Sequence, residues 1–201
     1  MQGQGTDTAT EMGLRERKKA RTRETIRTAA FDLFEEQGFE RTTVDQICRR
    51  ADVAHRTFFR YYATKEALLF GWDFGQVVLD AFAAAPAGLG PWEALGHALT
   101  ATDGHLEEPA EHTVRRRRLR HDFLEIRSVH DYALVLVDAF GQRASEIAGA
   151  RLGVDPRTDL RPLAFGAMVA GMIRRHVMIG SEGGLLTAWT DAFRDVTPAA
   201  R

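Results

Sequence analysis

Cysteine is all but missing from this chain of 201 residues: Cys48 is the only one. A lone thiol closes no internal disulfide, which fits a reducing compartment, and its place on the inward side of a short apolar-periodic segment reads as an inert core thiol. Long apolar runs are missing too. Stretches such as 163–173 fall well short of the ~20 residues that a bilayer-spanning helix needs. No apolar segment follows the basic N-terminal stretch, as one would in a secretory signal. The expected setting is the cytoplasm, away from the membrane. There is no strand-like alternation and no repeat, so the fold class expected is all-α.

Catalytic signatures are absent as well. The chain has no Gly-x-Ser-x-Gly elbow, no glycine-rich phosphate loop and no Cys-x-x-Cys pair. Its seven histidines (His55, His97, His105, His112, His121, His130, His176) include no i, i+4 pair with a carboxylate between them. No catalytic residue, no metal ligand and no cofactor is expected. A helical enzyme stays open only through residues that folding alone would bring together.

Charge of one sign is lacking overall, since the net charge is −1. Its distribution is uneven. Residues 1–65 hold 13 Lys and Arg against 10 Asp and Glu, and the rest of the chain leans acidic. Arg15, Arg17, Lys18, Lys19, Arg21, Arg23 and Arg27 cluster ahead of the most informative stretch, 42–69. A basic arm in that position suits a polyanionic backbone.

Within that stretch Thr43 and Gln46 form a Thr-x-x-Gln capping box. Val44, Ile47, Cys48 and Ala51 follow at i, i+3, i+4 and i+7, which gives one inward face. Asp52 marks the exit, with positive φ expected, and Val53 plugs the corner. A second short helix begins near His55, with Phe58 and Tyr62 facing the core. His55, Arg56, Thr57, Arg60 and Tyr61 point away from it. Arg takes guanine O6 and N7 in a bidentate contact, and hydroxyls position phosphates, so this set suits a major groove. Thr64 is read as the cap of a further helix with Lys65 in its first turn. A cation there is disfavoured by ~0.3–1 kcal/mol unless it shares an anion with the free N–H groups, and a DNA phosphate is such an anion.

These residues resemble the N-terminal DNA-binding domain of the TetR family of transcriptional regulators. The family's pattern is met by Thr42, Thr43, Val44, Ile47, Ala51, Val53, Thr57, Phe58, Phe59, Tyr61, Lys65, Glu66 and Leu68, and the match covers roughly residues 20–70. Four positions depart from it. Asp52 replaces the turn glycine, Ala54 the capping serine and Tyr62 a phenylalanine. Phe59 stands where a tyrosine often touches phosphate, and it has no hydroxyl to do so. The resemblance implies that Thr43, His55, Arg56, Thr57, Arg60, Tyr61 and Lys65 contact a double-stranded DNA operator.

The expected organisation is a disordered arm over 1–13, a helix-turn-helix domain over 14–64 and a helical regulatory and dimerisation domain over 65–201. The first helix runs from about Leu14 to Gln37, with Ile26, Ala30, Leu33 and Phe34 inward, Gly38 at its end and Phe39 folding back. A helix opened by Lys65 runs on to about Ala85 as a lever. It is apolar nearly all round, so neighbours are expected to enclose it. Further helices are expected at about 91–104, 109–127, 129–152, 158–180 and 184–196. The resemblance implies a homodimer built on the last two, a palindromic operator and release by a small-molecule effector, most often from a repressor. The Arg-rich helix, with the Arg-Thr-Phe-Phe-Arg-Tyr run of the reader, is similar to a mycofactocin-regulator-like branch described as sensing acyl-CoA-like ligands. On that implication Arg116, Arg120 and Arg127 meet anionic groups, while Trp72, Trp92, Phe123, Met168 and Met172 line an acyl slot. A solvated basic face is the plainer reading of the arginines. Control by a protein partner is the alternative to a small molecule, and a filled second domain would favour it.

Overall fold

In a computed structural model of the protein the backbone is described for residues 5–70, 72–102 and 110–178, with side chains for 17–70, 75–102 and 114–178. Every regular element among them is helical: α1 (Gly5–Gln37), α2 (Val44–Arg50), α3 (His55–Tyr61), a 3-10 turn (Glu66–Leu69), α4 (Trp72–Ala84), α5 (Pro91–Thr102), α6 (Ala110–Phe123), α7 (Arg127–Leu152) and α8 (Leu160–Met178). They divide into two compact units, Met1–Leu69 and Phe70–Arg201.

In the first unit Ile26, Ala30, Leu33 and Phe34 are buried, as the helical spacing predicts, and Phe31 joins them. Gly38 ends α1 at φ +83°, donating its N–H to the Phe34 carbonyl at 3.0 Å. A left-handed residue costs glycine nothing sterically. Phe39 then folds back with its ring 5.0 Å from that of Phe34. Helix α1 begins at Gly5, ahead of the expected Leu14, so the backbone of 5–13, read from its polarity as a disordered arm, is helical. No proline interrupts that stretch.

Two expected helices are broken. The single helix from Lys65 to Ala85 is instead a 3-10 turn followed by the separate α4. The 3-10 turn ends at Leu69, and α4 starts at Trp72. Nor is α4 enclosed all round: Val78, Leu79 and Phe82 are buried, while Val77 is exposed. The expected 109–127 helix ends at Phe123, and α7 starts at Arg127 after a turn in which Ile126 donates to the Phe123 carbonyl at 3.0 Å. The expected helix 184–196 lies outside the described residues.

The second unit is built on a shared core. Pro91 opens α5, where its missing N–H costs nothing, and Ala94, Leu95, Ala98 and Leu99 form its buried stripe. They meet Phe82 of α4, Phe140, Ala144 and Ile147 of α7, and Phe165 and Val169 of α8. Helices α7 and α8 pack with almost no space between their backbones. A Cβ added at Gly141 would lie 2.8 Å from the Ala170 Cβ, and one at Gly166 would lie 2.8 Å from the Ser145 Cβ.

Arg151, in the last turn of α7, holds the far end of α4. Its guanidinium donates to the carbonyls of Phe82 (3.4 Å), Ala85 (3.1 Å) and Leu89 (3.1 Å), and also to that of Pro86. The Phe82 carbonyl lies in the last turn of α4, where it also accepts the Ala85 N–H at 3.4 Å, and the Ala85 carbonyl lies just past the helix end, where the dipole favours a cation. The buried Nε finds no acceptor among the described residues, which offsets part of the gain. Replacing Arg151 with Met is expected to lower unfolding free energy by about 2 kcal/mol, measured by urea denaturation.

Candidate nucleic-acid interface

The corner between α1 and α2 is a polar network. The Thr43 hydroxyl accepts from the Gln46 N–H at 3.2 Å, and Gln46 Oε1 accepts from the Thr43 N–H at 2.8 Å, completing the capping box. Gln37 Nε2 donates to Gln46 Oε1 at 3.0 Å and to the Thr42 hydroxyl at 3.2 Å. The buried Thr42 hydroxyl donates in turn to the Gly38 carbonyl at 2.8 Å. On α2, Ile47 and Cys48 are buried; Asp45, Arg49 and Arg50 are exposed. Burial raises the Cys48 thiol above its ordinary pKa, with Asp45 adding to the shift, so little thiolate forms at neutral pH. Arg50 is taken up by Glu36 of α1 in a two-pronged ion pair at 2.8 and 2.6 Å.

The turn to α3 follows the expected route. Asp52 has φ +52°, and the Val53 N–H reaches the Cys48 carbonyl at 3.0 Å. Ala54 offers α3 no side-chain cap, so the helix leans on its neighbours. Phe58 is fully buried, with the rings of Phe59 and Tyr62 at 5.3 and 5.8 Å, and the Tyr62 hydroxyl donates to the Arg23 carbonyl at 3.3 Å.

The outward side of α3 carries the expected set. His55, Arg56 and Arg60 are exposed, and Thr57 and Tyr61 are half-buried. Arg56 makes no hydrogen bond or ion pair among the described residues. The Arg60 guanidinium lies 4.9 Å and that of Arg23 5.7 Å from the centre of the Tyr61 ring, which gathers positive charge beside the reading face. His55 Nε2 sits 3.1 Å from Asp45 Oδ1, at the mouth of a groove of about 500 Å³ between α2 and α3. Phe59 was missed as a member of this face. It is 54% exposed, one helical turn from His55. The spacing carried that signal, but its apolar side chain and the loss of the hydroxyl masked it.

Lys65 is placed differently from expectation. It precedes a 3-10 turn and opens no α-helix, and its ammonium donates to the carbonyls of Phe39 (2.8 Å) and Thr42 (3.0 Å).

In the second unit the expected ligand residues do not form one group. Trp92 packs edge-on against Phe165 at 4.7 Å, and Met172 lies against the same core. Met168 faces outward, 39% exposed. Arg116, Arg120 and Phe123 share α6 and are half-buried, but the turn at 124–126 takes Arg127 off that helix. The Arg127 side chain is 94% exposed, 3.5 Å from Asp131. Trp72 lies in α4, its side chain outside the described residues. Burial, with Arg116 and Arg117 beside it, pushes Arg120 down to about 10. Burial, Arg120 and Arg117 likewise lower His176 of α8. A cavity of about 800 Å³ lies where α6, α7 and α8 meet, lined by His121, Asp122, Leu124, Glu125, His130, Gly171, Arg174, Arg175 and Met178. None of the expected ligand residues lines it. Among the described residues no group of His, Cys, Asp or Glu could hold a metal ion, and no helix is long and apolar enough to cross a membrane.

The family model for bacterial regulatory proteins, tetR family, matches residues 26–71. The chain is 36% identical over 159 residues to the HTH-type transcriptional regulator TcmR of Streptomyces glaucescens, a match covering 75% of this chain and 69% of that one. It is 45% identical over 58 residues to the proposed mycofactocin biosynthesis transcriptional regulator MftR of Mycobacterium tuberculosis, covering 29% of each. Among solved structures it resembles Thermus thermophilus FadR, a transcriptional repressor in complex with lauroyl-CoA. That match has 27% identity and a TM-score of 0.43, covering 86% of this chain and 91% of that one.

The left-handed backbone at Asp52 yields a direct test. The side chain is exposed, so glycine would relieve the steric cost with little lost contact. Asp52→Gly is expected to raise unfolding free energy by on the order of 1 kcal/mol, and Asp52→Val to lower it, in thermal melts.

Proposed function

The chain belongs to the TetR family of bacterial regulatory proteins, and on that premise we propose that this DNA-binding transcriptional regulator is a homodimeric repressor, released from a palindromic operator by a small-molecule effector. The observation that carries the reading is α3: an exposed face of His55, Arg56, Phe59 and Arg60 over a fully buried Phe58. A rod of seven residues spans about 10 Å, short enough to lie in a major groove. Arg56, exposed and without an ion pair among the described residues, is the residue to read a guanine. Thr43, Thr57 and Tyr61 would position phosphates, with His55 and Arg60 beside them.

Support for the dimer comes from α8. Its outward side carries Leu163, Ala164, Ala167, Met168 and Gly171 in one stripe, with Leu163 at 55% exposure. A Cβ at Gly171 would meet nothing within 4 Å. Small residues beside exposed apolar ones suit a second copy of the same helix, and two-fold symmetry would present two reading heads to successive major grooves. The cavity where α6, α7 and α8 meet, with His121, His130, Arg174 and Arg175 in its lining against Asp122 and Glu125, supports an anionic effector over control by a protein partner. An acyl-CoA-like ligand has that charge, and Arg174 and Arg175 of the cavity lining would meet its phosphates. Its differential affinity for two spacings of the reading heads would drive release.

Arg56→Ala is expected to lower affinity for a duplex selected by the wild-type protein from a random pool by about tenfold to a hundredfold, with a much smaller loss on a scrambled duplex. Gel shifts on both duplexes read this out, and equal losses on the two would remove the base-reading role. Native mass spectrometry tests the rest. The purified protein is expected as a dimer that Leu163→Arg converts to monomer, and a co-purified anionic small molecule should weaken duplex binding when added back.

A further inference from the structure

We infer that Lys65 is a positioning residue of the DNA reader, acting through the α1–α2 corner and making no phosphate contact. The inference rests on α3 being the reading helix.

Three contacts carry it. The ammonium donates to the Phe39 carbonyl at 2.8 Å and to the Thr42 carbonyl at 3.0 Å, and it lies 4.3 Å from the centre of the Phe39 ring. An ammonium has three N–H donors, and two are committed to backbone oxygens: the Phe39 carbonyl, which also accepts the Thr42 N–H of its turn at 3.2 Å, and the Thr42 carbonyl. The charge above the ring adds a cation–π attraction on the same inward side. Burial lowers the lysine's pKa, while Glu66 and Glu40 act in the opposite sense. Those two carboxylates also set a negative field around the ammonium, which opposes the approach of a phosphate.

The sequence separation gives the contact its leverage. Residue 65 lies beyond α3, whereas Phe39 and Thr42 lie before α2, so the bonds close a loop around the whole helix-turn-helix. Thr42 is itself fixed through its hydroxyl to the Gly38 carbonyl and through Gln37 to Gln46, whose backbone N–H is capped by Thr43. Tension at Lys65 therefore sets the start of α2 and the exit of α3 together. Loosening it would tilt α3 while leaving His55, Arg56 and Arg60 chemically intact.

The test is Lys65→Met in the full-length protein, titrated over a salt series against a duplex selected by the wild type and a scrambled duplex of equal length. Affinity for the selected duplex is expected to fall by about tenfold, with the scrambled affinity and the salt slope unchanged. A slope shallower by about 0.9, with matching losses on both duplexes, would show a phosphate contact and overturn the inference. A lower melting temperature with both affinities intact would overturn it too, because Lys65 would then only stabilise the unit. Phe39→Leu provides the second variant should Lys65→Met not fold. It leaves every charge in place and removes the ring under the ammonium, so a several-fold loss confined to the selected duplex is expected, and no loss sinks the inference. A wild-type protein that selects no duplex would end the reading of α3, and this inference with it.

Discussion

A helix of seven residues does not persist in water by itself, because nucleating the first turn costs more than so few hydrogen bonds return. Helix α3 is such a helix, and it lacks even a side-chain cap at Ala54. Its geometry therefore depends on what it is fastened to. Burial of Phe58 draws one side inward, the left-handed residue at Asp52 turns the chain sharply enough for that burial, and the Tyr62 hydroxyl ties the exit to α1. The outward residues are exposed because the inward ones leave them no alternative. Reading DNA with such a helix requires a rigid frame, and the frame is the α1–α2 corner.

The second unit solves a different problem. Helices α7 and α8 approach closely through Gly141, Gly166, Ser145 and Ala170, which brings Phe140 and Phe165 into one core with α4 and α5. Small residues on α8 split between two tasks. Gly166 and Ala170 face α7, whereas Ala164, Ala167 and Gly171 are exposed. From sequence alone they form one undivided set of small residues. The helical repeat separates them into an inner seam and an outer stripe, and only contact with α7 shows which is which.

Much of the helical layout was legible because apolar spacing and end signals agree. The Thr43 capping box, the Gly38 and Gly153 ends and the inward face of α1 all stand where elementary rules place them. Breaks inside apolar or charged runs were not legible. Leu68 and Trp72 continue one periodicity across Gly71, and Arg116, Arg120, Phe123 and Arg127 fit one face of an unbroken helix. The spacing of residues carries no trace of a short turn that preserves the pattern, so spacing alone makes the lever one helix and sets Arg127 on the helix of Arg116 and Arg120, whereas it opens α7.

The sequence by itself determined the helical class, the helix-turn-helix and the identity of its outward side chains, since these follow from local periodicity and capping within a few residues. Tertiary structure alone decided where the Lys65 ammonium points, which small residues of α8 are exposed, and that Trp92 and Met172 pack against the core while Met168 faces out. The physical reason is range. A cap or a helical face is settled by neighbours one turn away, whereas a cation's partner is whichever oxygen the folded chain brings within 3 Å, and for Lys65 those oxygens lie 23 and 26 residues earlier.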